Sequence, residues 1–314
     1  MIDFHPIFDP SDFWRFLSPG VLTMGCDNSA FEEEKPAHTV RITEGFWMGR
    51  YPVTNAEFQR FIDSGGYEEQ AYWSEEGWRW LHLKQDDFQE WLGQIVEKHE
   101  DAFGHFFKTY DSKWLRSDVR PKFRRNSDYN GGLQPVVGVN WLEANAFCKW
   151  LSSNLDHGYK AVLPTEAQWE WAAKGEQNRA FPWGNEPLDI VEIGCDAYSK
   201  PSELVNCNLE VGRTTPVDHY PKGQTPEGIQ DLLGNVWEWC LDSGSEDVDQ
   251  ERLEGVENPL EEADTVGRPL RGGSWELDVD YISITSRDYL PRWFSYSNIG
   301  FRCCVTLEKP DENA

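Results

Sequence analysis

Positive charge is scarce in this chain. Its 29 lysines and arginines face 55 aspartates and glutamates, leaving a formal charge of −26. Nucleic acids and anionic membranes are held mainly through clustered Lys and Arg, so neither is expected as a partner. Long apolar runs are missing as well: no stretch approaches the roughly 18 residues of a membrane span. The opening Met1-Ile2-Asp3-Phe4-His5-Pro6 has neither a basic start nor an apolar run. No secretory leader is read there, and a cytoplasmic location is expected. The 7 cysteines (Cys26, Cys148, Cys195, Cys207, Cys240, Cys303 and Cys304) show no Cys-x-x-Cys spacing and are odd in number. Reduced thiols suit that pattern better than a disulfide framework or a zinc site. The 7 histidines (His5, His38, His82, His99, His105, His157 and His219) contain no i, i+4 pair, which argues against a helical iron site.

Aromatic residues are abundant instead. The 16 Trp, 17 Phe and 11 Tyr carry enough apolar area for a sizeable core, although 27% of the residues are charged. No Pro/Ser/Gly linker divides the 314 residues, so one irregular domain is expected. Three segments read as amphipathic helices, each opened by a capping box. They begin at Thr54 with Glu57, at Asn140 with Glu143, and at Thr165 with Gln168. Short apolar runs at 20–24, 38–42, 46–50, 268–275 and 300–306 are too brief for helices and predict strands or extended loops. The fold class is therefore α+β, rich in irregular loops. Residues 68–130 read as a Trp-rich insertion, 242–265 as an acidic surface loop, 1–15 as an N-terminal extension and 307–314 as a tail, leaving 16–306 as the domain.

Several unusual strings occur in a fixed order: Tyr51-Pro-Val53-Thr54-Asn55, Leu163-Pro-Thr-Glu166-Ala-Gln-Trp169-Glu170, Phe181-Pro-Trp183-Gly184, Asp231-Leu-Leu-Gly-Asn-Val-Trp-Glu-Trp239, Arg271-Gly-Gly-Ser-Trp275 and Asn298-Ile-Gly-Phe-Arg302. Together they resemble the formylglycine-generating enzyme (sulfatase-modifying factor) family. That resemblance implies its type of C-type-lectin-like fold. It leaves function open, because the family includes a copper-dependent oxidase, non-haem iron enzymes and ligand-binding proteins without catalysis.

The oxidase is implied to hold copper with two cysteines shortly after the Gly-Gly-Ser string. The matching positions here are Leu277 and Ile282, neither able to bind metal, and the stretch from Trp275 to Ile299 has no Cys or His. No catalytic residue is assigned, and neither copper nor iron is expected. Calcium is expected as a structural ion: the resemblance places ligands at Asp231, Leu232, Gly234 and Val236, and a second set at Asn206 and Cys207. It also puts Cys303 near Cys148. Glu170 and Glu238, each inside a Trp-Glu-Trp string, could be an acid and base pair, although a structural role for a buried Glu is the commoner outcome.

The segment 271–302 is expected to bind a ligand, with a protein the expected partner. Between its two brackets, aromatic rings alternate with Ser, Asp and Arg in the manner of a paratope. Exposed contact residues are expected at Asp278, Asp280, Tyr281, Asp288, Tyr289, Arg292, Trp293, Phe294 and Tyr296. Ile282 and Ile284 are expected in the core, and Arg271, Arg287 and Arg302 as loop anchors. The segment is also similar to that of the variable proteins of diversity-generating retroelements. Two other readings stand beside this one: an oxidase or oxygenase with a relocated metal site, and an accessory subunit of a larger complex.

Overall fold

The structure, a computed structural model, describes residues 13–98, 120–186, 203–244, 255–260 and 265–308. The extension before residue 13, the middle of the Trp-rich insertion, Cys195, most of the acidic loop and the end of the tail lie outside the described residues. The local signals at the helix starts do what their chemistry requires. Helix α1 (Asn55–Asp63) opens on Thr54, whose Oγ1 accepts from Glu57 N at 3.3 Å while Glu57 Oε2 accepts from Thr54 N at 2.7 Å. Such a cap contributes about 1 kcal/mol. The insertion adds α2 (Glu75–His82) and α3 (Gln85–Lys98). Reciprocal boxes also open α4 (Trp141–Ser152) at Asn140 and Glu143, and α5 (Glu166–Lys174) at Thr165 and Gln168. Gly175 closes α5 at φ +58°, a conformation that would strain most other residues.

Among the described residues, eleven short strands make three sheets, giving the α+β architecture expected. In the first, β1 (Trp14–Leu17), β4 (Phe46–Gly49), β11 (Cys304–Leu307) and β5 (Tyr159–Val162) lie side by side. Strand β1 starts inside the stretch read as an extension, and its first residue Trp14 and the preceding Phe13 are buried. The second sheet runs β10 (Ile299–Gly300), β6 (Trp237–Trp239), β8 (Gly267–Arg271) and β9 (Arg287–Pro291). The third joins β2 (Gly20–Met24), β3 (His38–Ile42) and β7 (Val256–Glu257). That last strand corrects the reading of 242–265 as surface loop throughout. So does Asp242, which is buried and accepts the Glu166 N–H at 2.7 Å, at the N-terminus of α5.

Two apolar clusters fill the interior. In one, Phe58 and Phe147 stack at 5.5 Å with Phe61 and Phe301 edge-on around them. The other gathers Val40, Met48, Trp169 and Leu232 under α5. Gly20 is needed beneath that helix, since a Cβ there would lie 2.3 Å from the Trp171 ring. The insertion is part of the first cluster: Trp73, Trp80 and Trp91 are all buried in it. Among the described residues, no helix is long and apolar enough to cross a membrane.

Candidate functional site

The frame 271–302 is fixed by three arginines, placed by β8, by β9 and by the turn before β11. Arg271 pairs with Glu170 and reaches Glu166 at 3.3 Å, while Arg287 pairs with Glu166 at 2.6 Å. Arg302 meets Glu238 with two bonds of 2.6 Å and also donates to the carbonyls of Gly49, Gln230 and Asp231. All three are buried, and in that setting a charge is tolerated only when paired. Burial alone would lower the Arg271 pKa, but Glu170 and Glu166 outweigh it and hold the guanidinium more firmly protonated. Burial would likewise raise Glu170; Arg271, Lys174 and the Gly25 N–H overcome it and keep the carboxyl below its usual range. Glu170 and Glu238 are thus structural anchors in separate ion pairs. Trp169 Nε1 completes the second by donating to Glu238 at 2.7 Å. Cys148 and Cys303 do meet, with Sγ atoms 3.6 Å apart and both thiols free.

Leu277 and Ile282 converge on one spot. A Cβ added to Gly273 would lie 3.0 Å from Ile282 Cγ1 and 3.5 Å from Leu277 Cδ1, so the place implied for a thiolate pair is an apolar contact. Ile282 and Ile284 are in the core as expected. Of the nine contact residues expected from sequence, Asp278, Asp280 and Tyr281 are exposed, and Asp288, Tyr289, Arg292 and Tyr296 are partly covered. Trp293 and Phe294 correct the expectation, at 0% and 3% exposure. The Trp-rich insertion roofs Trp293 and its neighbour Arg292: Trp91 of α3 meets Trp293 edge-to-face at 5.0 Å, and Glu76 of α2 pairs with Arg292 at 2.7 Å.

The two sets of residues expected at calcium are zipped together. Asn235 N donates to Asn206 O at 2.9 Å, and Asn206 Nδ2 lies 3.3 Å from Asn235 Oδ1. Gly234, at φ +69°, is needed there because a Cβ would lie 2.4 Å from Asn206 O. Leu232, Val236 and Cys207 line the same buried turn. Burial pushes the Asp231 carboxyl up to about 7; its bond from Asn235 and the charge of Arg302 pull the other way, while Glu238 and Asp218 add to the rise. Cys207 is pushed up to about 12 by burial, then by Glu210 and Asp278, so its thiol is not a ready ligand. Asn206 Oδ1 and Gln230 Oε1 are buried with no hydrogen-bond donor. An oxygen-rich turn with an ionisable buried carboxyl and orphaned acceptors fits a hard cation. Among the described residues, no group of three or more His, Cys, Asp or Glu is gathered to hold a metal, at this turn or elsewhere, so an ion here would rely on carbonyl and amide oxygens.

Sequence reading did not single out Glu276, Asn298 or Tyr129 as contact residues. Asn298 Nδ2 donates to Glu276 Oε2 at 3.0 Å and lies 3.3 Å from Ser274 Oγ, so the Asn298 amide joins the two brackets of the frame and holds the carboxylate. Tyr129 comes from the far end of the insertion and stands 6.3 Å from the Trp275 ring. Only tertiary packing reveals that approach.

Residues 14–307 match the family described as the sulfatase-modifying factor enzyme 1-like domain. The formylglycine-generating enzyme of Mus musculus is 28% identical over 295 residues, covering 92% of this chain and 74% of that protein. Hercynine oxygenase of Mycolicibacterium smegmatis is 32% identical over 260 residues, covering 79% of this chain but only 50% of the relative. The chain therefore spans about half the length of that oxygenase. Among solved structures, PvdO from Pseudomonas aeruginosa superposes with a TM-score of 0.64 at 21% identity, covering 93% of each chain. Treponema denticola variable protein 1 does so with a TM-score of 0.55 at 21% identity, over 93% of this chain and 94% of its own. At such identities these two likenesses show the fold alone.

Proposed function

The chain belongs to the sulfatase-modifying factor enzyme 1-like family, and we propose that it is a non-catalytic binding member whose 271–302 segment engages a protein ligand. The observation that carries this reading is the contact of Leu277 and Ile282 around Gly273, where the resemblance asks for two thiolates. Aliphatic side chains can neither ligate Cu(I) nor pass electrons. What the frame offers solvent is Asp278, Asp280 and a Tyr281 ring 51% exposed, backed by Phe31 at 5.6 Å. Rigid amphipathic rings beside small polar groups suit protein recognition.

In this proposal calcium supports the frame from below. The Asp231 carboxylate with the carbonyls of Leu232, Gly234 and Val236 would hold one ion, and Asn206 Oδ1 with the Cys207 carbonyl a second. The ion would supply the positive charge that Asp231 and the unbonded Asn206 oxygen lack. A cytoplasmic location stays part of the proposal, as does diversification of the exposed positions; an encoding locus without a reverse transcriptase and a template repeat would remove the latter.

Its family relatives named as enzymes make an oxidase or oxygenase the competing reading, and one preparation separates the two. Metal content and oxygen consumption are measured on the purified full chain offered calcium, copper and iron. Calcium retention with no oxygen uptake supports the binder. Stoichiometric copper or iron with oxygen uptake sinks it.

A further inference from the structure

The arginine network leaves one carboxylate of the frame outside it. Glu276 is half-buried, yet no Lys, Arg or His among the described residues pairs with it; its hydrogen bond comes from the neutral Asn298 amide. Burial raises its pKa with no cation to oppose the rise. Tyr129, whose hydroxyl feels the Glu276 charge, belongs to a chain of rings beside it. Tyr129 lies 6.3 Å from Trp275 and 5.6 Å from Phe123, and Phe123 lies 6.3 Å from Tyr296. Tyr129 is held by a hydrogen bond to Ser297, and its hydroxyl feels the charge of both Glu276 and Asp128. The two ends of the frame and the far end of the insertion thus meet at one acidic, aromatic spot.

The chemistry of this spot selects by charge. Ring faces attract cations through their quadrupoles, and the effect strengthens where water is partly excluded. An anion would be repelled by Glu276. A neutral apolar group would strip water from the carboxylate without replacing its hydrogen bonds, which is costly. A guanidinium or ammonium satisfies both the carboxylate and the rings. We propose that Glu276, with Tyr129, Trp275 and Tyr296 around it, is the receptor for one cationic side chain presented by the protein ligand. This rests on the binding reading above and specifies it: the ligand offers an Arg or Lys at the centre of its contact. Asn298 is a positioning residue that fixes the Glu276 carboxylate through one oxygen and leaves the other for the ligand. Arg suits the site better than Lys, because its planar fork can bond the carboxylate while lying on a ring.

The test uses the full chain with 13C-labelled tyrosine and two small probes, N-acetyl-arginine amide and its neutral isostere N-acetyl-citrulline amide. The Tyr129 and Tyr296 resonances, assigned with Tyr→Phe variants, should shift at an about 10-fold lower concentration of the arginine probe than of the citrulline probe. E276Q should erase that preference and Y129L should reduce it, whereas D156N, at an exposed acid outside the frame, should retain it. Melting curves for each variant show that folding is intact. Equal response to both probes, no response at either tyrosine, or an unchanged preference in E276Q would each overturn the proposal. The outcome is independent of the metal and oxygen assay: lost arginine preference with no oxygen uptake removes the cation receptor alone, and oxygen uptake removes the parent reading whatever the probes do.

Discussion

The arginine clamps and the Asp231 turn lie side by side, joined through Arg302, and they handle buried charge in opposite ways. In the clamps every buried ion has its counter-ion: Arg271 with Glu170, Arg287 with Glu166, Arg302 with Glu238. At the turn, Asp231 is buried with only a neutral amide on its carboxylate, and Asn206 Oδ1 and Gln230 Oε1 have no donor. The first region is complete in charge, although the Arg271 and Arg287 Nε groups have no acceptor. The second lacks a positive charge, which is why it fits a bound cation and the first does not. Glu276 repeats the second pattern nearer the surface, where a ligand rather than an ion can answer it.

Breaking the complete region should cost most. Arg302→Met strands the Glu238 carboxylate, and equilibrium unfolding in urea should show a loss of about 3–5 kcal/mol. Pairing it with Glu238→Gln should return part of that loss. A deficit under about 1 kcal/mol for Arg302→Met would mean the clamp is not the anchor described here.

The incomplete region should respond next, and to pH and cation together. Asp231 has its folded-state pKa raised from 3.8 to about 7, so the folded protein holds this proton more tightly than the unfolded chain. In chelator-treated protein its contribution is therefore favourable below pH 4 and is lost as pH rises to 7, by up to about 4 kcal/mol. Calcium binds the ionised form and should cancel the loss, raising the melting temperature most at neutral pH. Asp231→Asn should remove both the pH slope and the calcium response. A melting temperature indifferent to calcium across that range would put the turn in the same class as the clamps.

A smaller effect of opposite sign belongs to Lys122, whose pKa burial lowers from 10.5 to about 7. Stability should rise as pH climbs from 7 toward 10.5, since the unfolded chain still binds the proton that the folded one releases. Partial exposure screens this contribution. Lys122→Met should flatten the rise in pH-resolved unfolding curves, and an unchanged slope would count against it. Least affected in stability should be Tyr281→Ala, within about 0.5 kcal/mol because the ring is mostly exposed. If the frame is a binding face, that same change should weaken ligand capture by about 10-fold or more.

What could be read from the sequence was whatever is decided over a few residues. Thr54 with Glu57, Asn140 with Glu143 and Thr165 with Gln168 signalled helix starts because cap donors and acceptors lie within one turn. The anchoring role of Arg271, Arg287 and Arg302 was legible from residue chemistry, although their partners were not. Trp293 was misjudged because Trp91, which packs on it, is brought from about 200 residues away in the chain by α3, and Phe294 because it joins the same core cluster. Glu276 escaped notice for the same reason: Tyr129, which approaches Trp275 and feels the Glu276 charge, comes from the far end of the insertion. Asp242 sat in a polar stretch, and nothing local revealed that it caps the start of α5.

The arginines grip the frame at its first residue, near its middle and at its last through carboxylates outside it, and Arg271 also donates to the carbonyls of Ile284 and Thr285 within it. The spans 272–283 and 288–301 are therefore two cassettes on a shared rack, neither of which holds one of these three arginines or its bonded partners. A library built on this chain should vary Asp278, Asp280 and Tyr281 first, leaving untouched the residues roofed by the insertion.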